Sequence, residues 1–366
     1  MASSPPSEVA QGSQQPIYPL YNKTYTLHRL SPLHNLSSLS PASLTQHARR
    51  LLSILRGDVL RGVRVGFESI GDGVVNAGRL ESCEWKLLAN AEAWERQQHA
   101  DEAEQEDTMA KETAGVWIEL EYEKTNYTAL LLRNPRPRRD RGNEASAAPA
   151  EEGEIHLPLL LTHMPSALRS TLQDYLTTTF DARIEETRLS STFLAAALEG
   201  FLADLSPLGA AGMAKVVKDL QITLAFRIPV APSLRTLDVT IRRQDVWGFL
   251  VKGKSTAAGK DGGGAKAFMS ALGGYLKAHL ALDITHEDVG VSKMACGGFV
   301  LARDGRAKIM GTAEGGVEGD EGETGRRAVG GLMGRLFERA EVWRFEDGLG
   351  GGRNLQPGLE STCKDS

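Results

Sequence analysis

The 366-residue sequence predicts an α+β protein: a curved, mainly antiparallel β-sheet with amphipathic helices packed on one face. Three observations carry this. Apolar and polar residues alternate in short runs, most clearly at Leu220, Ile222, Leu224, Phe226 and Ile228 and again at Leu237, Val239 and Ile241. These runs follow one another through turns, without the regular strand–helix alternation that a parallel sheet needs. Between them lie a few segments whose apolar residues recur at helical spacing.

The elements follow in order. Residues 1–16, rich in Ser, Pro and Gln, read as a disordered leader, and residues 17–133 as an N-terminal α+β part. Ser40 can cap a helix that Pro41 opens, with Leu44, Ala48, Leu51, Leu52 and Leu55 on one stripe and Gly57 at its end. Val63, Val65 and Phe67 alternate as a half-buried strand. Residues 92–112 hold eight acids and two bases, an exposed acidic insert. A strand over 116–123 sets Ile118, Leu120 and Tyr122 against Glu119, Glu121 and Glu123. It turns at Thr125-Asn126 into a second strand over 127–132. An Arg/Pro-rich linker occupies 134–153.

A C-terminal α+β part spans 154–347. It opens with a strand over 155–161, then a helix through Leu168, Leu172, Tyr175 and Leu176, and another from Leu189 to Leu205, stopped by Pro207-Leu208-Gly209. The strand runs at 220–228 and 237–241 come next, with 246–251 as an extension. Flexible loops fall at 252–264 and 311–325, and a helix through Phe268, Leu272, Tyr275 and Leu276 follows the first of them. Further strands are expected at 281–285, 289–294, 298–302 and 307–310, the last two joined by the hairpin signal Asp304-Gly305. A helix through Val329, Leu332, Met333, Leu336 and Phe337 and a strand at 342–345 complete the order, before a disordered tail at 348–366.

Composition narrows the function. Hydrophobic residues at 41% and charged residues at 24% are globular values. The net charge of −5 excludes a bulk polycation, so any nucleic-acid contact must come from a local patch. Cys83, Cys296 and Cys363 are too scattered for a disulfide framework or a metal site and fit a reducing compartment. No signal peptide and no membrane-length apolar run is read. The eight histidines include no HExxH and no i, i+4 pair, so no metal, cofactor or catalytic residue is assigned.

One motif asks for chemistry. Gly248-Phe-Leu-Val-Lys-Gly253-Lys254-Ser255 fits the phosphate-loop pattern GxxxxGK[ST]. That loop works only where a helix starts at the Lys-Ser step, and here Thr-Ala-Ala-Gly-Lys-Asp-Gly-Gly-Gly follows, a poor helix. The preferred reading is a strand running into a basic loop; nucleotide binding by 248–255 is the alternative. Glu119, Glu121 and Glu123 read as a solvent face. The arginines between 133 and 141 have three readings, a nuclear-import patch, a phosphate-backbone contact or a solvated linker; the Pro-rich context favours the linker, compatible with import. Arg242, Arg243, Lys252 and Lys254 are candidate phosphate-backbone contacts for a direct DNA-binding module, against the preferred reading of ordinary surface charge, since so few cations make no clustered basic face. Aromatic interleaving is nearly absent there, which argues against base reading.

Several segments together resemble the CENP-L family, inner-kinetochore subunits, in its fungal members. They are Tyr18-Pro-Leu-Tyr-Asn-Lys-Thr-Tyr-Thr-Leu-His-Arg-Leu-Ser-Pro-Leu33, Leu55-Arg-Gly-Asp-Val-Leu-Arg-Gly-Val-Arg-Val65 and Ala231-Pro-Ser-Leu-Arg-Thr-Leu-Asp-Val-Thr-Ile241, with Leu280-Ala-Leu-Asp-Ile-Thr-His286 and Met294-Ala-Cys-Gly-Gly-Phe-Val-Leu301. The resemblance implies a nuclear, non-enzymatic scaffold of the constitutive centromere-associated network. It implies pairing with a CENP-N-like subunit through the C-terminal sheet region, contact with other inner-kinetochore subunits, and engagement of centromeric nucleosomal DNA within the complex. No membrane and no small-molecule substrate is implied. The residues add a mechanism. If the 298–310 hairpin is a sheet edge, a partner strand can pair there, with Phe299, Leu301 and Ile309 at the interface. Internal core is the other reading of the same alternation.

Overall fold

The structure, a computed structural model, describes residues 17–36, 38–60, 77–97, 113–135, 154–227, 233–257, 266–311 and 319–341. Eleven strands form one open antiparallel sheet. The first part of the chain supplies β1 (Thr24–Leu30), α1 (Pro41–Leu60), β2 (Leu80–Ala89), α2 (Ala91–Gln97), β3 (Thr113–Tyr122) and β4 (Thr125–Leu132). Then come β5 (Leu159–His163), α3 (Ser166–Phe180), β6 (Ile184–Glu186), α4 (Ser191–Leu205), α5 (Gly209–Val217), β7 (Leu220–Phe226) and β8 (Thr236–Ile241). The chain continues through α6 (Arg243–Ala257), α7 (Ala267–Leu280), β9 (Val289–Ala295), β10 (Phe299–Ala302), β11 (Arg306–Ile309) and α8 (Asp320–Glu341).

The strand order is β2-β3-β4-β5-β1-β11-β10-β9-β7-β8, with β6 also beside β1. β1 is therefore the hinge of the topology. Thr26 to Arg29 pair with β5 on one side; on the other side Thr24 to Thr26 pair with β11, and His28 to Leu30 with β6.

Side-chain alternation divides the sheet into two faces, and the helix cover changes face halfway along it. Around β2–β5, Ile118, Leu131 and Leu160 turn to one face, where α1 and α3 cover them with Leu44, Leu51, Leu172 and Phe180. The neighbours Leu130 and Leu161 turn to the opposite face and join Phe299, Leu301, Met294 and Ile222. That second face carries α4, α5, α6, α7 and α8. The main helices of the two halves thus cover opposite faces, while the short α2 packs through Ala91 and Trp94 on the same face as α4 to α8. The pair α4–α5 is long and apolar enough to cross a membrane by composition. A 3₁₀ turn at Ser206–Leu208 interrupts it, and Leu194, Leu198, Phe201 and Leu202 lie in the core.

The Asp304-Gly305 hairpin is where the sequence puts it. Gly305 has φ +82°, and a Cβ there would meet the Thr187 carbonyl oxygen at 2.3 Å, so the turn needs glycine twice over. Other expectations are corrected. Residues 246–251 extend no strand; they are the middle of α6, because Val246 and Leu250 face the core one turn apart. The loop expected from 252 starts as the last turns of α6. Residues 281–285 are irregular and turn, not strand. The β3–β4 turn is Glu123-Lys124, two residues earlier than expected. α8 begins at Asp320, inside the stretch read as loop, with Asp320, Glu321 and Glu323 in its first turn, where the helix dipole favours acids. β2, β6 and α5 went unread. The leader, the 63–67 and 342–345 strands, the tail, and most of the acidic insert and linker lie outside the described residues.

Candidate protein–protein interface

Phe299, Leu301 and Ile309 are buried, at 0%, 0% and 2% exposure. Their strands are interior: β10 lies between β9 and β11, and β11 between β10 and β1. The Phe299 ring packs edge-on against Phe201 at 5.1 Å. The expectation that this hairpin is an open edge is therefore corrected. The N-terminal strand β1 closes it, a pairing across more than 280 residues that local alternation cannot show.

Among the described residues the sheet ends at β2 and β8. The two edges differ. β2 pairs with β3 through register shifts near both ends, at Leu80/Ser82 and at Leu88/Ala89. Its Glu81 carbonyl accepts from Arg56 Nη2 at 3.0 Å. Bulges and charged cover are how proteins blunt an edge. β8 pairs with β7 in an unbroken register from Leu220↔Ile241 to Ala225↔Thr236. The Phe226 amide donates to the Arg235 carbonyl, which makes that pair hydrogen-bonded. Alternation then turns the amides and carbonyls of Thr236, Asp238 and Thr240 away from β7, toward the open side. On the helix side of β8, Leu237 and Val239 are only partly buried.

The uncovered face of β7–β11 is the second feature. In register across it stand Lys308, Val300, Ala295 and Gln221, with Arg306, Ala302, Lys293 and Thr223 in the next row. This face carries three cations, of which Arg306 pairs with Asp304 at 3.4 Å, and one acid, Asp238, beside Thr223. The sequence reading missed Lys293, Arg306 and Lys308, although strand alternation places each opposite a buried apolar neighbour.

Arg242, Arg243, Lys252 and Lys254 do not form one patch. The arginines stand at the start of α6 and the lysines in its last turns, roughly 15 Å apart at 1.5 Å per residue. α6 lies on the helix-covered face, across the sheet from Lys293 and Lys308.

The phosphate-loop reading is corrected outright. Gly248 to Ser255 lie inside one helix, where the backbone amides are already bonded. Lys254 and Ser255 sit at its C-terminal end, where the dipole repels phosphate. Gly253 serves packing: a Cβ there would sit 1.8 Å from the Ala267 carbonyl oxygen, so its absence lets α6 and α7 touch.

Several other titratable groups have structural partners. Glu119 and Glu84 flank Lys86, which lies 5.2 Å above the Trp117 ring, on a solvated face. Among the described residues no three His, Cys, Asp or Glu converge as metal ligands. Burial pushes the Cys296 thiol up to about 11 and the His28 imidazole down to about 4, Arg169 adding to the latter. Glu199, raised by burial, accepts the Phe268 and Met269 amides at 3.2 and 2.7 Å and so caps the start of α7.

Fold and surfaces together define an open-sheet α+β protein that offers, among the described residues, a strand edge without bulges and a sheet face bearing Lys293, Arg306 and Lys308. The chain belongs to the Centromere protein L (CENP-L) family, whose sequence model matches residues 19–341 and so spans both halves of the sheet. It is accordingly a kinetochore subunit, a centromere component associated with other inner-kinetochore subunits. No curated protein matches it.

Proposed function

We propose that this CENP-L family member is a non-enzymatic scaffold of the inner kinetochore in the nucleus. It pairs with a CENP-N-like subunit through the C-terminal half of its sheet and so helps assemble the kinetochore on centromeric chromatin. The observation that carries the pairing is β8: an edge without bulges, with the backbone groups of Thr236, Asp238 and Thr240 directed outward. A partner strand satisfies those groups, and its alternate side chains cover Leu237 and Val239.

Co-purification with a CENP-N-like subunit tests this. Thr240→Pro removes one outward amide and leaves the β7 ladder intact, so it weakens the heterodimer while the free chain stays folded. An undiminished heterodimer in both Thr240→Pro and Thr236→Pro rules out β8 as the pairing edge.

Contact with nucleosomal DNA within the complex is the second part of the proposal, supported by Lys293, Arg306 and Lys308 on the uncovered face. Reversing Lys293 and Lys308 then lowers the salt slope of DNA affinity by about one for each phosphate that a lysine no longer neutralises. An unchanged slope removes this face from the DNA path.

A further inference from the structure

The open edge β8 has a single charge in it. Its sequence Thr-Leu-Asp-Val-Thr-Ile puts Asp238 near the middle, and Arg235 and Arg242 lie beyond the ends. Alternation turns Leu237 and Val239 to the helix side, where they stay partly buried, and sets the exposed Thr236, Asp238 and Thr240 on the other face. Asp238 stands opposite Thr223 of β7 and accepts from its hydroxyl at 2.6 Å. Among the described residues it makes no ion pair. In its row Lys293 comes only after Thr223, about 10 Å away at the usual strand spacing.

A strand added to this edge meets that carboxylate. The strand pairs of the sheet are antiparallel. In that arrangement the residue facing Asp238 stands about 5.5 Å away, Cα to Cα, because the Asp238 amide and carbonyl point outward. The new strand also takes water from one side of the carboxylate, so the residue it places opposite decides the sign of the contact. An acid there repels, and an apolar residue leaves the charge uncompensated. A Lys or Arg completes it, since the Thr223 hydroxyl occupies only one of the two oxygens. On the helix side the same strand covers Leu237 and Val239, which calls for apolar side chains at the alternate positions.

We infer that Asp238 selects the strand that adds to β8: one with apolar residues toward the helices and a Lys or Arg facing Asp238 on the uncovered face. The inference rests on β8 being the pairing edge, as proposed above, and adds which strand that edge accepts.

Titration calorimetry of the full chain with a CENP-N-like subunit, without DNA and at about 0.1 M and about 1 M salt, tests it. Asp238→Asn keeps an acceptor for Thr223 and loses the charge, so at the lower salt it weakens the heterodimer about threefold. Asp238→Lys turns attraction into repulsion and weakens it about tenfold. Both deficits shrink at the higher salt, where charges are screened. Reversing the facing Lys or Arg of the partner strand to Glu restores affinity for Asp238→Lys. An unchanged melting temperature of the free chain confirms the fold of each variant. Wild-type affinity in Asp238→Lys, alongside weakened pairing in Thr240→Pro, overturns the inference and leaves the β8 edge standing. Undiminished affinity in Asp238→Lys, Thr240→Pro and Thr236→Pro alike removes the edge itself. A deficit in Asp238→Lys that is equal at both salts, or that no charge reversal in the partner strand relieves, makes the position steric and also overturns the inference.

Discussion

His28 stands on β1 with no exposed surface. The Gln173 amide donates to Nδ1 at 3.2 Å, which leaves Nε2 to donate to Thr162 Oγ1, also at 3.2 Å. Both bonds suit the neutral ring, and a proton has no acceptor waiting for it. The folded ring therefore titrates near 4, against 6.5 when free. A depressed folded-state pKa means that below pH 6.5 the unfolded chain binds the proton first. Stability is whole above that pH and drains away toward pH 4, by about 3 kcal/mol in full. His28→Gln keeps a donor for Thr162 and cannot charge, so urea denaturation across this window should show a shallower acid slope; parallel slopes would clear His28 of the effect. Glu199 makes the opposite kind of contribution, since two amides at the start of α7 depend on it. Glu199→Ala leaves both without their acceptor and should cost about 1–3 kcal/mol in the same experiment.

The elements show what neighbouring letters can and cannot specify. The strands β7, β8, β9, β10 and β11 were legible because their alternation is clean and Asp304-Gly305 permits only a tight turn. α6 was not. Val246, Phe249, Leu250 and Val251 form a short apolar run that reads equally as a buried strand, and only the pairing of Val246 with Leu250, continued by Gly253, reveals the helix. β2 was missed although Cys83, Trp85 and Leu87 alternate with Ser82, Glu84 and Lys86 in its middle, between register shifts that lie only at its two ends. The candidate interface failed for a different reason. Phe299, Leu301 and Ile309 were placed correctly on strands, and their hairpin was misplaced in the sheet, since its closing partner β1 lies at the far end of the sequence. Gly253 tests the corrected picture of α6. Gly253→Ala drives a methyl into the Ala267 carbonyl and should lower stability by about 1–3 kcal/mol. Lys254→Ala, in the last turns of the helix, should leave it nearly unchanged, and ATP should shift the melting temperature of neither the wild type nor the variants. A melting shift with ATP that Lys254→Ala abolishes would restore the nucleotide reading.

The molecule divides into two apolar cores, yet its sheet gives them no boundary at which to part. Leu130 enters one core and its neighbour Leu131 the other, so a single strand, β4, serves both. β1 binds the halves more firmly still. It pairs with β5 among the α1 and α3 strands and with β11 among the α4 to α8 strands. Losing either half strips β1 of one flank and exposes a row of amides and carbonyls in the other half, a cost that no local rearrangement can recover. The two cores should therefore unfold as one. Leu131→Ala opens a cavity under α1 and α3, and Phe299→Ala opens one under α4; each should cost about 3–5 kcal/mol. Circular dichroism and tryptophan fluorescence, which sees Trp85 in one core and Trp247 against the other, should report one shared midpoint in the wild type and one shared, lowered midpoint in each variant. A variant that separates the two signals, with one core melting before the other, would show that the sheet is two cooperative units after all and that the pairing of β1 with β11 does not couple them.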